Sequence, residues 1–446
     1  MTTSSVSRHS LAWFLAGTLL DRWAVFSTGP LIGLYLRYIS DNLHSVSALA
    51  VGLISVAFNF FGLVSAPIMG SLSDRFGKKG FLLIECAMGA VATFVYPLTT
   101  SVFVIFLLQA FEGVRSGTAP VSLSYMSDAT SKTMSIRGRA IALFEIVNFI
   151  GLGIGVVLGG ILWDIWHENA FRITTLVYVF GFAVFAFKIQ EIRPSPRTIS
   201  KSGMIMALQT VVSQRRLIAS AVSWFLINGT IAIWSTQGTF QMTGQTKDPS
   251  QKLIGLLSGT GISGLYLIAI PLALISIYFW GGLMYRLSKR VIMITAVCAV
   301  LCFWILLLAL NHFSGTTIDL NSFMGVGLML GLVLCLLIGV GIIPAMLTYI
   351  ADITDVFVAA RGAIMGLYWL FVGVGRLFGS WLGSVAAQIG QIDGMIALSL
   401  LFTLVTVGAI LAATSGLGNM KYAPRGKFAD REDAPPSSPM EESRWD

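Results

Sequence analysis

The stretch Gly70-Ser-Leu-Ser-Asp74-Arg75-Phe-Gly77-Lys78-Lys79-Gly80 is a short charged segment between two long apolar runs. Because so few residues separate the runs, both must end on the same side of a membrane. The segment carries three cations against one anion, which is typical of the cytoplasmic side. A plain positive-inside hairpin needs only its basic residues, so Asp74 and the glycines need another reason. Gly70 and Gly77 permit tight turns and close helix packing.

The composition of the whole chain agrees with a membrane setting. It has 446 residues, of which 55% are hydrophobic and 11% are charged, whereas a soluble protein has about 25% charged residues. Apolar runs of about 20 residues recur, and each is long enough to cross a hydrocarbon core of about 30 Å. The sequence therefore predicts an all-α polytopic membrane protein. Its net charge of +8 follows from lysines and arginines concentrated in predicted cytoplasmic segments, so nucleic-acid binding is not needed to explain it.

Cysteines give no sign of a disulfide framework, a metal site or a cofactor. All four, Cys86, Cys298, Cys302 and Cys335, fall in apolar runs without paired spacing, as buried free thiols do. We also find no nucleophile and base arranged for catalysis, so we predict that the protein is not an enzyme.

The apolar runs predict two bundles of six helices. We place the spans at 11–36, 45–69, 80–99, 101–127, 139–163, 170–190, 217–241, 253–280, 291–311, 322–351, 361–387 and 391–415. Residues 1–10 form a cytoplasmic tail, 11–190 the first bundle, 191–216 a cytoplasmic linker, 217–415 the second bundle and 416–446 a disordered cytoplasmic tail. Asp21-Arg22 interrupts the first run, which we therefore interpret as a membrane helix and not as a signal peptide.

The two bundles repeat each other. Gly281-Gly-Leu-Met-Tyr285-Arg286-Leu-Ser288-Lys289-Arg290 follows the pattern of Gly70 to Lys79, with tyrosine at the position of Asp74 and serine at that of Gly77. Further matches at one common offset pair Pro120 with Pro344, Tyr125 with Tyr349, Asp128 with Asp352 and Arg137 with Arg361. Internal repeats of this kind are characteristic of secondary transporters.

The charged loop matches the G-x-x-x-D-R-x-G-[RK]-[RK] motif, and nearly the whole chain resembles the major facilitator superfamily. The resemblance implies twelve helices, a central cavity between the halves and alternating access. It also implies a cytoplasmic latch, a set of charged contacts that holds the cytoplasmic side closed when the cavity opens outward. In this latch Arg75 pairs with Asp128, Asp74 faces Arg361, and Arg286 pairs with Asp352. The predicted latch residues are Gly70, Asp74, Arg75, Gly77, Lys78, Lys79, Asp128, Arg137, Arg286, Asp352 and Arg361. We expect Glu85 and Glu145 to support this latch.

Asp21 lies about ten residues into the first span, where an ionisable side chain costs about 2.5–3.5 kcal/mol and indicates function. Leu20-Asp21-Arg22, followed by Pro30, resembles the first helix of drug/proton antiporters such as the tetracycline efflux proteins. We therefore predict that Asp21 and Arg22 take part in proton coupling or substrate binding. The alternative is that they only neutralise each other or pair with a neighbouring helix.

The fourth span carries Gln109, Glu112 and Arg115. Glu112 and Arg115 are three residues apart and can pair on one helix face, and a cation moving toward or away from a buried carboxylate changes its affinity for a proton. The resembled family usually has arginine where Gln109 stands, so a purely structural ion pair is the alternative.

Small residues in the fifth span, Gly151, Gly155, Gly159 and Gly160, let helices pack closely and resemble the antiporter G-P-x-x-G-G motif, with Val156 in place of the proline. In the second half we expect Arg376 to meet an anionic substrate group or a helix partner. Asn228, Trp234 and Gln237 are candidates to line the cavity, although tryptophans more often anchor or pack helices.

We therefore predict a secondary transporter in the plasma (inner) membrane with both termini cytoplasmic, acting as a monomer with a small-molecule substrate and protons as its partners in the lipid bilayer. Proton-coupled efflux of drugs or amphipathic metabolites is the leading function. An importer or facilitator of a sugar, peptide or organic acid is the alternative, followed by a non-transporting receptor. The substrate, coupling ion and direction do not follow from the sequence.

Overall fold

The computed structural model describes residues 8–130, 134–191, 214–244, 250–284, 286–312, 323–354 and 361–414. Most of these residues are helical, and the sole β-type pairing among them is an isolated bridge between Thr243 and Leu257. The predicted linker and the two predicted tails fall largely or wholly outside the described residues. The helices are α1 (Arg8–Asn42), α2 (Ala48–Phe76), α3 (Lys78–Val95), α4 (Val102–Ser116), α5 (Ala119–Ala129), α6 (Met134–Trp166), α7 (Asn169–Lys188), α8 (Arg215–Met242), α9 (Gly259–Leu283), α10 (Lys289–Asn311), α11 (Phe323–Gly339), α12 (Ile342–Thr354) and α13 (Arg361–Thr414).

In this part of the chain, ten helical segments are long and apolar enough to cross a membrane. Two of the ten combine consecutive helices, α4 with α5 and α11 with α12. α1 is 35 residues long and also suffices in length, but Asp21-Arg22 interrupts its apolar run. α13 is 54 residues long and breaks at Gln391, where φ is 50°, so it provides two crossings. With α1 added and α13 counted as two crossings, the ten segments become twelve, which is the number of predicted spans.

Large apolar side chains cover the outside of the bundle. Phe187, Tyr278 and Ile389 are each more than 80% exposed, an arrangement that water would penalise and that lipid favours. The helices therefore bury their polar groups inward and present their apolar side chains to the bilayer.

The two halves repeat each other in three dimensions. Lys78 pairs with Asp128 in the first half, and Lys289 pairs with Asp352 in the second. Tyr125 donates its hydroxyl hydrogen to the carbonyl of Gln190 at 2.8 Å, as Tyr349 does to that of Ala413 at 2.6 Å. Both fourth spans are interrupted just before a proline, at the α4–α5 and α11–α12 junctions.

Gly77 makes the turn between α2 and α3. Its φ of 101° is one that residues with a side chain rarely adopt, and a Cβ there would lie 2.6 Å from Glu191 Oε1. In the second half Ser288 occupies this place and caps α10 by accepting from the Val291 N–H at 3.3 Å. Gly70 differs, because a Cβ there would meet open space; the expected close packing is absent at that glycine.

The bundle has two ends, the basic face and the opposite face. The basic face carries the α2–α3 turn at Gly77, and the opposite face carries the α1–α2 connection. Within the described residues, the hydrogen bonds that join the halves involve Ala48, Asn59 and Asp164, all in the part of their helix nearer the opposite face. The halves are therefore held together mainly toward the opposite face.

Candidate functional site: a buried charge cluster

Five charged side chains from three helices meet inside the first half. α1 contributes Asp21 and Arg22, α3 contributes Glu85, and α4 contributes Glu112 and Arg115. Arg22 Nη2 lies 2.9 Å from Asp21 Oδ2 and 2.8 Å from Glu85 Oε1. Their helices run side by side, so residues far apart in sequence form one polar centre among apolar side chains. We call these five residues the charge cluster.

The ion pair expected within the fourth span is present. Arg115 donates from Nη2 and from Nε to Glu112 Oε2, at 2.7 Å and 2.8 Å. Both side chains are 2% exposed, so water screens the pair very little. Arg115 also lies over the ring of Tyr178 from α7, 5.5 Å from its centroid, which adds a cation–π contact.

Glu85 links the two arginines, and this corrects the expectation that it supports the latch. Its Oε1 accepts from Arg22 and lies 4.0 Å from Arg115 Nη1. Glu85 lies two turns into α3 and is 2% exposed, too deep to reach the charged loop. A sequence signal was available, because a glutamate inside an apolar run is costly in a membrane and indicates function as Asp21 does.

Other polar groups border the charge cluster. Gln109 is buried and donates to the Tyr96 hydroxyl at 3.0 Å, so it supports α4 and does not pair with a charge. Among the described residues, Arg22 Nε, Glu112 Oε1 and the Tyr178 hydroxyl are buried without a hydrogen-bond partner. Unused donors and acceptors in a buried site are available to a proton or a polar ligand.

Three carboxylates against two guanidinium groups leave the charge cluster with one uncompensated negative charge when every group is ionised. A buried charge without a partner is costly. Binding one proton removes the imbalance. The described residues contain no group of three or more His, Cys, Asp or Glu that could hold a metal ion.

The glycines of the predicted antiporter-like motif lie at helix contacts. A Cβ on Gly151 would lie 2.5 Å from Arg22 Cβ, one on Gly155 2.5 Å from the Trp23 carbonyl oxygen, and one on Gly159 2.8 Å from that of Ser27. Gly160 instead meets Gly259 of α9. These glycines let α6 approach α1 directly behind the charge cluster and let the halves meet.

The second-half candidates do not join the charge cluster. Gln237 is fully buried and donates to the Ala48 carbonyl at 2.8 Å and to Ser384 at 2.7 Å. Trp234 donates to Ser399 at 3.0 Å, and Asn228 donates to the Trp224 carbonyl of its own helix at 2.9 Å. Arg376 is exposed, and no ion pair in the described part of the chain includes it.

The latch region differs from the expected pairing. Within the described ranges Asp128 pairs with Lys78 and not with Arg75, and Asp352 pairs with Lys289 and not with Arg286. Lys78 begins α3 and is 1% exposed, with its Nζ 3.8 Å from Asp74 Oδ1. Arg75 lies in the last turn of α2 and is exposed. Lys79 donates to the Ala186 and Ile189 carbonyls. The side chains of Arg137 and Arg361 are outside the description.

Known proteins resemble this chain over different lengths. The tetracycline resistance protein of class H from Pasteurella multocida is 29% identical over 157 residues, which are 35% of this chain and 38% of that protein. The chain thus matches about two fifths of that relative's length. The multidrug resistance protein MdtG from Escherichia coli O9:H4 (strain HS) is 25% identical over 319 residues, 70% of this chain and 73% of that protein. These relatives confirm the predicted likeness to drug-efflux transporters.

Solved structures share the fold. A crystal structure of the nucleoside transporter NupG superposes with a TM-score of 0.70 at 13% identity, covering 92% of this chain and 99% of that one. The human organic anion transporter MFSD10 superposes with a TM-score of 0.57 at 16% identity, covering 91% and 99%. The family model of the Major Facilitator Superfamily matches residues 14–380. This integral membrane protein therefore belongs to the major facilitator superfamily of transporters.

Proposed function

We propose that the protein is a secondary active transporter that works by alternating access and couples export of drugs or amphipathic metabolites to proton entry. The observation that carries the proposal is the uneven charge of the charge cluster, with three carboxylates and two guanidinium groups buried together. Intramembrane carboxylates of this kind serve as proton relays in transporters.

Proton binding would act through the arginines. Glu85 holds Arg22 of α1 and lies close to Arg115 of α4, so it ties the two helices together electrostatically. A proton on Glu85 or Asp21 removes the charge that attracts Arg22 and loosens α1 from α3. A change in protonation is thereby converted into a change in helix contacts, as coupling requires.

Export is supported by the relatives. The tetracycline resistance and MdtG proteins carry drug-resistance names, and the resemblance of Leu20-Asp21-Arg22 and the α6 glycines to antiporter motifs agrees with them. An importer of an organic acid is the second candidate. Exposed Arg376, without an ion pair among the described residues, suits an anionic group.

We place the transporter in the plasma (inner) membrane as a monomer, with the basic face and both termini cytoplasmic. The concentration of lysine and arginine at the basic face supports this orientation. In this orientation, the hydrogen bonds that join the halves lie toward the outer side.

The experiment is proton-coupled efflux of cationic and neutral dyes in energised inverted vesicles. Wild-type protein is compared with Asp21→Asn and Glu85→Gln, which remove a charge from the cluster and keep the side-chain shape. We expect dye movement to follow the pH gradient in the wild type and to fall to background in both variants, because neither amide can carry the proton.

The matched control is Asp41→Asn, the same substitution on the same helix, where the carboxylate pairs with Arg37 outside the charge cluster. This variant should transport like the wild type. Gradient-driven transport that survives in both cluster variants would contradict the assignment. Absence of movement of every dye in folded wild-type protein would favour the organic-acid importer, which is then tested by uptake of labelled organic acids.

A further inference from the structure

At equivalent positions, the first half has charged residues and the second half has uncharged ones. The register that aligns Lys78 with Lys289 aligns Glu85 with Ala296, and the neighbouring Cys86 and Gly89 with Val297 and Val300. The register that aligns Asp128 with Asp352 aligns Glu112 with Leu336 and Arg115 with Gly339. The second half therefore lacks charge at the counterparts of Glu85, Glu112 and Arg115.

At this place the second half contains a cavity of about 260 Å³. It lies between α8, α10, the α11–α12 junction and the part of α13 after Gln391. Leu336 and Gly339, the counterparts of Glu112 and Arg115, are in its wall, as are Val297 and Val300. Leucine in the place of Glu112 removes a charge here, and glycine in the place of Arg115 removes a long side chain and leaves space.

The cavity wall contains no charged residue, and its hydroxyl and indole donors are already used. Its hydroxyl groups donate to carbonyls of their own helices: Thr230 to Leu226 at 2.9 Å, and Thr403 and Thr406 each at 2.7 Å to the residue four positions earlier. The indole N–H of Trp304 donates to Thr403 at 3.1 Å. A ligand with polar groups would lose its hydrogen bonds to water and gain few in return.

Aromatic rings shape one side of the cavity. Trp304 and Phe303 meet edge to face, with centroids 5.0 Å apart, and Trp304 stacks on Trp234 at 5.3 Å. Such rigid rings favour another aromatic ring over a flexible chain. An engineered apolar cavity of about 150 Å³ in another protein takes benzene, so this larger one has room for about two rings.

We propose that this cavity is a binding site for an uncharged aromatic hydrocarbon of about two fused rings, which enters from the bilayer. The site is independent of proton coupling, because it shares no residue with the charge cluster. Binding there is measured without transport, so its failure and the failure of the proposed export are separate results.

The test is photolabelling of the full chain in lipid nanodiscs with 2-azidonaphthalene, followed by peptide mass spectrometry. We expect adducts on the wall of the cavity, around Val297–Trp304 and Cys335–Ile343. Excess naphthalene at about ten times its dissociation constant should reduce them about tenfold by mass action. Adducts on Leu330 and Leu334, which are exposed on the same α11 helix, should not be reduced.

A matched pair of variants on α10 tests the location. Val300→Trp fills the cavity and should remove the competed adducts, whereas Ile305→Trp, at a side chain 57% exposed, should keep them. Equal, uncompeted labelling at both kinds of position in the wild type would overturn the proposal. Competition in detergent but not in nanodiscs would overturn it too, because it would show that a lipid chain occupies the cavity.

Discussion

At the level of single residues, the charges of the cluster are stabilised by contacts with one another and not by water. Arg115 and Glu112 are each 2% exposed and meet through two hydrogen bonds to one carboxylate oxygen. In such surroundings the attraction is strong, but each charge has also lost its hydration. The pair therefore stabilises the folded protein only while both partners are present.

This predicts an asymmetry between single and double substitution. Arg115→Leu should lower the free energy of unfolding by about 3–5 kcal/mol, because it leaves Glu112 charged and unpaired. Glu112→Leu combined with Arg115→Leu should recover most of that loss, since both charges leave together. Unfolding in SDS, followed by circular dichroism, measures both changes. A single variant as stable as the wild type would show that the pair is not a buried unit.

At the level of helices, the contact between α1 and α6 depends on which glycines face it. Gly155 lies against the backbone of Trp23 at a distance that leaves no room for a methyl group, whereas Gly153, half a turn away, faces open space. The same residue type thus has opposite consequences at two neighbouring positions.

We predict that Gly155→Ala destabilises the protein by about 1–3 kcal/mol, because the helices must move apart. Gly153→Ala should be neutral or stabilise by up to about 1 kcal/mol, since alanine favours the helix and meets nothing. Thermal unfolding of the purified protein in detergent compares the two variants. Equal shifts of the melting temperature would mean that helix propensity, and not the contact with α1, decides the effect.

At the level of the whole molecule, Asp164 holds the two halves together at the opposite face. It lies near the end of α6 and accepts from the Gly259 and Thr260 N–H groups at 3.0 Å and 2.7 Å. These donors begin α9, where the helix dipole also favours a carboxylate. Alternating access requires this contact to break whenever the opposite face opens.

Removing the contact should therefore change which face is open. We predict that Asp164→Ala weakens the closed state by about 1 kcal/mol, which shifts the populations about fivefold. Spin labels at His44→Cys and Leu256→Cys, in a cysteine-free background, measure the distance across the halves and should show more of the longer distance.

The control for this measurement is Ser288→Ala, which removes a helix cap that lies wholly within the second half. It should leave the distance distribution unchanged. An unchanged distribution in Asp164→Ala as well would show that other contacts, such as that of Gln237 with Ala48, hold the opposite face closed.

The sequence by itself determined the features that depend on neighbouring residues. Apolar runs long enough to cross a bilayer predicted the helices, and the repeat of the loop around Gly77 predicted two related halves. The Glu112–Arg115 pair also followed from the sequence, because a spacing of three places both side chains on one helix face.

Only the tertiary structure decided which helix faces meet. It brought Glu85 to Arg22 and Arg115, gave Asp128 the partner Lys78, and left a cavity in the second half where the first half is charged. These outcomes depend on how each helix is rotated and where it ends, which packing against distant helices sets. A one-dimensional pattern of charges and glycines does not contain that rotation.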